Sequence, residues 1–286
     1  MPVITLFQIR TLPLAAAAAL SLVSCSSGPE PVRTGTPAYY WQVANENYTK
    51  GDFAKTADWL EKITKASKND FSAKAWIYQL IVTSGTIRGN AELADEFEIG
   101  ERVNKAASMK FHKYTANFRG AAARASMGLH EAYNEFEKAF PDGDVTAEFA
   151  VPAGTIAKPQ GIAKIQTGQI PTEAEVPALA SSMLQRGVIE QICDLTGSAG
   201  DVAKAQLAMK TPPVTIPRAA FELTMAKTLH ETSKIFGGRK ENDTNKQEAF
   251  CNLAMKAAGR AGDSADVKEL KGKIEKDLKE IKARKG

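Results

Sequence analysis

The sequence predicts an all-α fold of stacked helical hairpins, interrupted by an irregular Pro/Gly-rich insertion around residues 141–176. Apolar side chains recur at three- and four-residue spacing through most of the chain, which is the period of an amphipathic helix. Proline is sparse within these stretches and gathers between them. Because a lone pair of helices cannot bury its apolar face, successive pairs are expected to stack into an array with a concave side.

The first helical hairpin is predicted over residues 37–70. Thr36 suits an N-cap, Pro37 suits the first helical position, and Gly51 marks a turn before a second helix. The residues expected at the helix contacts are Ala44, Phe53, Thr56, Leu60 and Ile63. This segment resembles a tetratricopeptide repeat, which implies an α-solenoid, although Asn47 stands where that family prefers a large aromatic residue.

Two further helix pairs are predicted downstream, one over residues 71–106 and one over residues 113–146. The first has its turn at Gly85–Asn90, and the second has Gly120 at a close helix contact and Gly128 near its turn. The spacing is longer than in a regular repeat. The alternatives are therefore a divergent repeat array over residues 37–140 and an irregular helical bundle.

Residues 141–176 have few helix formers in register and contain Pro152, Pro159 and Pro171. The stretch Lys164–Ile170 could form a short β-hairpin. Long irregular segments are uncommon inside compact domains unless they have a function or connect separate parts. This segment is thus either a linker between two helical halves or an insertion that contacts a partner or ligand.

Helices are predicted again over residues 177–286, as a C-terminal helical region. The last helix carries a narrow apolar stripe: Val267, Leu270, Ile274, Leu278 and Ile281. Such a stripe suits a helix that caps the end of the array. The alternative is a basic amphipathic helix that touches anionic lipid.

Residues 1–25 have the layout of a secretory signal, with one charge at Arg10 and an apolar run too short to span a bilayer. The run ends in Leu22-Val23-Ser24-Cys25, which resembles the lipobox of bacterial lipoproteins. The resemblance implies that Cys25 is acylated, becomes the first residue and binds the membrane through its lipid. Because Ser26 follows, it also implies an outer-membrane location facing the periplasm. Residues 26–36 then form a flexible tether.

Composition and motifs argue against several classes of function. Without residues 1–25 the net charge is +3, from 36 basic and 33 acidic residues, so no nucleic-acid partner is expected. The three histidines, His112, His130 and His230, lack metal-ligand spacing, and no nucleophile or phosphate-binding motif occurs. We therefore expect no enzymatic activity, no metal and no cofactor.

Two groups of residues remain as candidate sites. Cys193 and Cys251 would meet oxidising conditions after export, so they either pair as a disulfide or stay as buried free thiols. Tyr39, Tyr40 and Trp41 are consecutive, and at helical spacing at most two can face inward. The third could contact a partner, since aromatic residues are enriched at interfaces.

Two functions are therefore open. The first is a lipid-anchored helical scaffold whose partner is another envelope protein or a peptide. The alternative is the small-molecule binding component of an envelope transport system. An enzyme is the third and weakest reading, because no catalytic motif supports it.

Overall fold

The computed structural model describes residues 32–237 and 242–285. These residues contain ten α-helices and one two-stranded sheet, so the predicted all-α class is confirmed. Cys25 and the predicted signal, together with residues 26–31 of the predicted tether, lie outside the described residues. The helices are α1 (Pro37–Thr49), α2 (Phe53–Thr64), α3 (Ser72–Val103), α4 (Ser108–Ala139), α5 (Gln160–Gln166), α6 (Glu175–Leu195), α7 (Val202–Ala208), α8 (Arg218–Gly237), α9 (Thr244–Arg260) and α10 (Ala265–Lys285), and the strands are β1 (Val145–Ala147) and β2 (Val214–Ile216).

The first predicted hairpin is present as α1 and α2. The Thr36 hydroxyl caps α1 by accepting a hydrogen bond from the Tyr39 N–H at 3.3 Å. Gly51 turns the chain at a φ of +76°, which favours glycine, and the Asp52 carboxylate caps α2. All the residues predicted at the helix contacts are buried: Ala44, Phe53, Thr56, Leu60 and Ile63.

The predicted helix pair over residues 71–106 is wrong, because α3 runs through Gly85–Asn90 without a turn. Gly85 and Gly89 instead lie where α3 and α6 cross at close range. A Cβ at Gly85 would lie 2.5 Å from the backbone nitrogen of Val188, and a Cβ at Gly187 would overlap the carbonyl oxygen of Gly85. The two backbones therefore touch directly, which only glycine permits.

The predicted helix pair over residues 113–146 is also wrong, because α4 is one helix from Ser108 to Ala139. A Cβ at Gly128 would have nothing within 4 Å, and one at Gly120 would meet only the Arg124 side chain, at 3.3 Å. Gly120 is thus not at a close helix contact. Each interior glycine costs a helix about 1 kcal/mol. The packing of α4 along α3 outweighs that cost.

The segment over residues 141–176 is packed into the fold and is not a free linker. The Tyr78 hydroxyl accepts a hydrogen bond from the Phe149 N–H at 2.6 Å and donates one to the Phe149 carbonyl at 3.1 Å. Strand β1 pairs antiparallel with β2, with Val145 opposite Ile216. The segment thereby joins α3 to the chain that precedes α8.

The predicted β-hairpin over Lys164–Ile170 is wrong, since most of that stretch lies in α5 and the turn after it. Ile162 and Ile165 are three residues apart and are both buried, as one face of a helix requires. They pack with Phe97 of α3 and Phe111 of α4 in a small apolar cluster.

Helices α8, α9 and α10 pack mainly on one another. Four residues of the predicted stripe on α10 are buried and Leu278 is half-buried, so the stripe is not free to enter a lipid surface. Among the described residues, no helix combines the length and apolar character required to cross a bilayer.

Two arginines, two buried carboxylates and a tyrosine form a cluster where α4, α8 and α9 meet. Arg218 Nε donates to Glu222 Oε1 at 2.5 Å, and the same guanidinium pairs with Glu137. Arg260 also pairs with Glu137, and the Tyr133 hydroxyl donates to Glu222 Oε2 at 2.5 Å. The Glu137 side chain is 2% exposed and that of Glu222 is fully buried. We call these five residues the Arg218 cluster.

Candidate binding cleft

A cleft of about 1,430 Å³ opens between α3, α4, α6, α8 and α10. One face of α3, from Ser84 to Glu98, forms one side, and α8 from Thr224 to Ile235 forms another. The start of α10, near Leu270, completes the cleft. These parts are distant in the chain, so the cleft depends on the tertiary packing.

The floor of the cleft consists of uncharged polar side chains, of which Ser84 and Gln191 are buried and Thr228 is half-buried. Ser84 is 2% exposed, and its hydroxyl has no hydrogen-bond partner among the described residues. Gln191 is 1% exposed, and its side-chain amide contacts Thr228 Oγ1 through Nε2 at 3.2 Å and through Oε1 at 3.3 Å. We call Ser84, Gln191 and Thr228 the cleft floor. Buried polar groups are normally paired, so the Ser84 hydroxyl is an exception that requires an explanation.

Charged side chains of both signs surround this floor, and several of them pair with each other. Arg88 Nη2 lies 3.0 Å from Asp194 Oδ2, and Lys273 Nζ lies 2.6 Å from Glu269 Oε1. Arg119 pairs with Asp95 at 3.3 Å. Such partly exposed pairs contribute at most about 1 kcal/mol each. The lining contains five basic and seven acidic side chains, so charges of both signs face the cleft with a small acidic excess.

No Phe, Tyr or Trp is among the described residues that line the cleft, and the apolar lining is aliphatic, as at Ile87, Ala91 and Leu270. Recognition by stacking on a Phe, Tyr or Trp ring is therefore not available there. His230 is 4% exposed, and its Nε2 lies 2.7 Å from Asp277 Oδ2, so it links α8 to α10. Among the described residues, no group of three or more His, Cys, Asp and Glu side chains could hold a metal ion.

The candidate site residues Cys193, Cys251, Tyr39, Tyr40 and Trp41 do not line the cleft. Cys193 and Cys251 are buried free thiols in two different apolar clusters, so the structure contains no disulfide between them. Trp41 packs with its ring 4.3 Å from that of Phe149, against the core. Tyr39 and Tyr40 are half-buried beside Trp59, and a partner contact there stays a prediction.

The sequence contains a pattern that indicates the cleft floor. Ser84, Gln191 and Thr228 each interrupt an apolar helical face, next to residues such as Ile87, Ile192 and Leu229. A polar residue at a core position of an amphipathic helix indicates a buried polar site, although its partner cannot be read from the sequence.

No family model, curated protein or solved structure matches this chain. The guides to its function are therefore its own residues and the cleft.

Replacing Ser84 with alanine is expected to raise the free energy of unfolding of the unliganded protein by about 1–2 kcal/mol, because a buried hydroxyl without a partner is costly. Alanine is also the better helix former. Urea unfolding followed by circular dichroism measures the change. Ser126→Ala is the matched control, since that buried hydroxyl donates to the Ala122 carbonyl at 2.8 Å. Equal effects of the two substitutions would contradict the expectation.

Proposed function

We propose that this protein is a lipoprotein of the cell envelope that binds a segment of a partner polypeptide in its cleft. Lipid on Cys25 would hold it to the membrane, as the sequence from Leu22 to Cys25 suggests. The cleft between α3, α4, α6, α8 and α10 is the observation that supports a binding role.

The size and lining of the cleft favour a polypeptide over a small solute. Its volume of about 1,430 Å³ exceeds the range of about 300–1,000 Å³ that is usual for small-molecule pockets. Those pockets are mostly apolar and aromatic, whereas this one is lined by paired charges, hydroxyls and aliphatic groups. A polypeptide segment offers amides and charges of both signs, which such a lining can satisfy.

The anchor is tested by growing cells with radiolabelled palmitate. We expect the full-length protein to incorporate the label and the Cys25→Ser variant to lose it, because the lipobox resemblance assigns acylation to that thiol. Cys193→Ser is a control that should retain the label, since that thiol is buried. Label that persists in the Cys25→Ser variant would contradict the anchor while leaving the cleft untouched.

The cleft is tested by recovering the partner from detergent-solubilised membranes. Ala91 lines the cleft and is half-buried, so Ala91→Trp should obstruct it and lower partner recovery by about tenfold, a loss of about 1.4 kcal/mol. Ala116→Trp is the matched control, because Ala116 is exposed on α4 and does not line the cleft.

Equal recovery with the wild type, Ala91→Trp and Ala116→Trp would exclude the cleft as the partner site. Repeated recovery of no protein, combined with a thermal shift by a metabolite that Ala91→Trp abolishes, would favour the solute-binding alternative. Ala199 is exposed on the cleft wall, so Ala199→Trp serves as a second obstruction if Ala91→Trp lowers the stability of the fold.

A further inference from the structure

We propose that the cleft floor is a subsite for a side-chain carboxamide, so that the bound segment places an asparagine or glutamine against Ser84 and Gln191. This inference rests on the proposed polypeptide-binding function and specifies the chemistry of recognition at the same site.

The unused hydrogen-bonding capacity of the floor is the first argument. The Ser84 hydroxyl offers one donor and two acceptor positions, and none has a partner among the described residues. The Gln191 amide has two donors and two acceptor positions. Its contact with Thr228 leaves at least one donor and one acceptor position available. The floor can therefore both donate to and accept from one incoming group.

The two side chains lie at the same level of the cleft. Helices α3 and α6 are antiparallel, because Gly89 contacts Met183 while Gly85 contacts Val188. From the contact of Gly85 with Val188, Ser84 lies one residue further along α3, and Gln191 lies three residues further along α6 in the same direction. The two residues therefore lie at a similar level. Both line the cleft although each is at least 98% buried and the Ser84 oxygen is closed to solvent, so an incoming side chain contacts that oxygen only as the neighbouring side chains move aside.

A charged group does not suit this position. Removing a charge from water is costly unless it meets a counter-charge. Arg88, one helical turn from Ser84, is already paired with Asp194 at 3.0 Å and lies 3.8 Å from Glu190. An incoming carboxylate would face those two acids, and an incoming ammonium would face the arginine. A neutral polar group avoids both costs.

Among neutral polar groups, the carboxamide fits the floor best. Its oxygen can accept a hydrogen bond from the Ser84 hydroxyl, while its NH₂ donates to Gln191 Oε1. An aromatic ring would find no Phe, Tyr or Trp to stack on among the described residues of the cleft, and it would leave the Ser84 hydroxyl unpaired. An aliphatic side chain would leave the Ser84 hydroxyl buried and unpaired.

Selection from a displayed library of random peptides tests the inference, with the detergent-solubilised full-length protein as bait and Ala91→Trp as the counter-selection bait. We expect asparagine or glutamine to be enriched at one fixed position of the selected peptides. Replacing that residue with leucine should weaken binding about tenfold, as expected for losing hydrogen bonds between uncharged groups. Ser84→Ala should weaken binding of the parent peptide by a similar factor and make the leucine replacement nearly neutral.

The outcomes separate this inference from the proposed function. The inference alone is overturned if the selected peptides require an open cleft but show no preference for a carboxamide. It is also overturned if those peptides bind the Ser84→Ala protein as tightly as the wild type. Failure to select any peptide that distinguishes the wild type from Ala91→Trp overturns both. A Gln191→Leu bait provides a second variant of the floor, because it removes the amide and keeps Ser84.

Discussion

Replacing Arg218 with methionine is expected to lower the free energy of unfolding by about 3–5 kcal/mol, because it leaves buried carboxylates without their main counter-charge. Arg218 contacts both Glu222 and Glu137, and its Nη1 donates to the Phe140 carbonyl at 2.8 Å. Methionine fills a similar volume, so the effect should come from the lost charge. Urea unfolding at constant pH measures it.

The pH dependence of this effect identifies its cause. Burial and the nearby Glu222 carboxylate raise the pKa of Glu137 from 4.5 to about 7. Between these two pH values Glu137 is protonated in the folded protein but ionised in the unfolded chain. The stability that comes from protonated Glu137 is therefore fully present below about pH 4.5 and is lost as the pH rises to about 7. The loss caused by Arg218→Met should accordingly be smaller at pH 5 than at pH 8.

Lys138→Met is the matched control, since Lys138 is 72% exposed and pairs with Glu135 at 2.7 Å on the same helix. Exposed pairs contribute about 0.3–0.5 kcal/mol, so this variant should be close to the wild type at both pH values. If Arg218→Met were no more destabilising than Lys138→Met, the Arg218 cluster would not hold α4, α8 and α9 together.

Gly187→Ala is expected to destabilise the protein by about 3 kcal/mol, at the upper end of the range for overpacking a core. The added Cβ would overlap the Gly85 carbonyl oxygen and lie 3.0 Å from the Gly89 nitrogen. These are backbone atoms of α3, so no side chain can rotate away to make room. Thermal and urea unfolding should both report the loss.

Gly128→Ala provides the opposite sign within the same protein. Nothing lies within 4 Å of a Cβ at this exposed position of α4, so the alanine should raise stability by about 1 kcal/mol through helix propensity alone. Two glycine-to-alanine changes with effects of opposite sign would show that the close crossing of α3 and α6 governs the first. A neutral or stabilising Gly187→Ala would contradict it.

The parts of the fold that were predictable from the sequence are those fixed by local chemistry. Thr36 and Gly51 set the start and the turn of the first hairpin, and apolar spacing identified the buried faces of α2 and α10. Local chemistry failed where tertiary contacts decided the outcome. Gly85 was interpreted as part of a turn, but in the structure it allows α6 to approach α3. Nothing in the structure explains why position 128 is a glycine.

The cleft was beyond the reach of a single sequence for a related reason. Its floor joins Ser84 of α3 with Gln191 of α6 and Thr228 of α8, and its wall includes Lys273 of α10. Periodicity shows that a helix has a buried face but does not show which helix covers it. The buried thiols of Cys193 and Cys251 illustrate the same limit, since helical spacing predicted burial but not whether the two residues meet.

The Arg218 cluster and the cleft occupy successive positions along the same two helices. On α8, Arg218 and Glu222 precede the cleft residues, and on α4 Glu137 lies fifteen residues beyond Ala122, or about 22 Å along the axis. The cluster joins α4 to α8 and α9 by ion pairs, beside the ring contacts of Phe136 with Phe221 and of His130 with Phe250. A substitution that disrupts the cluster therefore acts on the walls of the cleft as well, because α4 and α8 each contribute side chains to both.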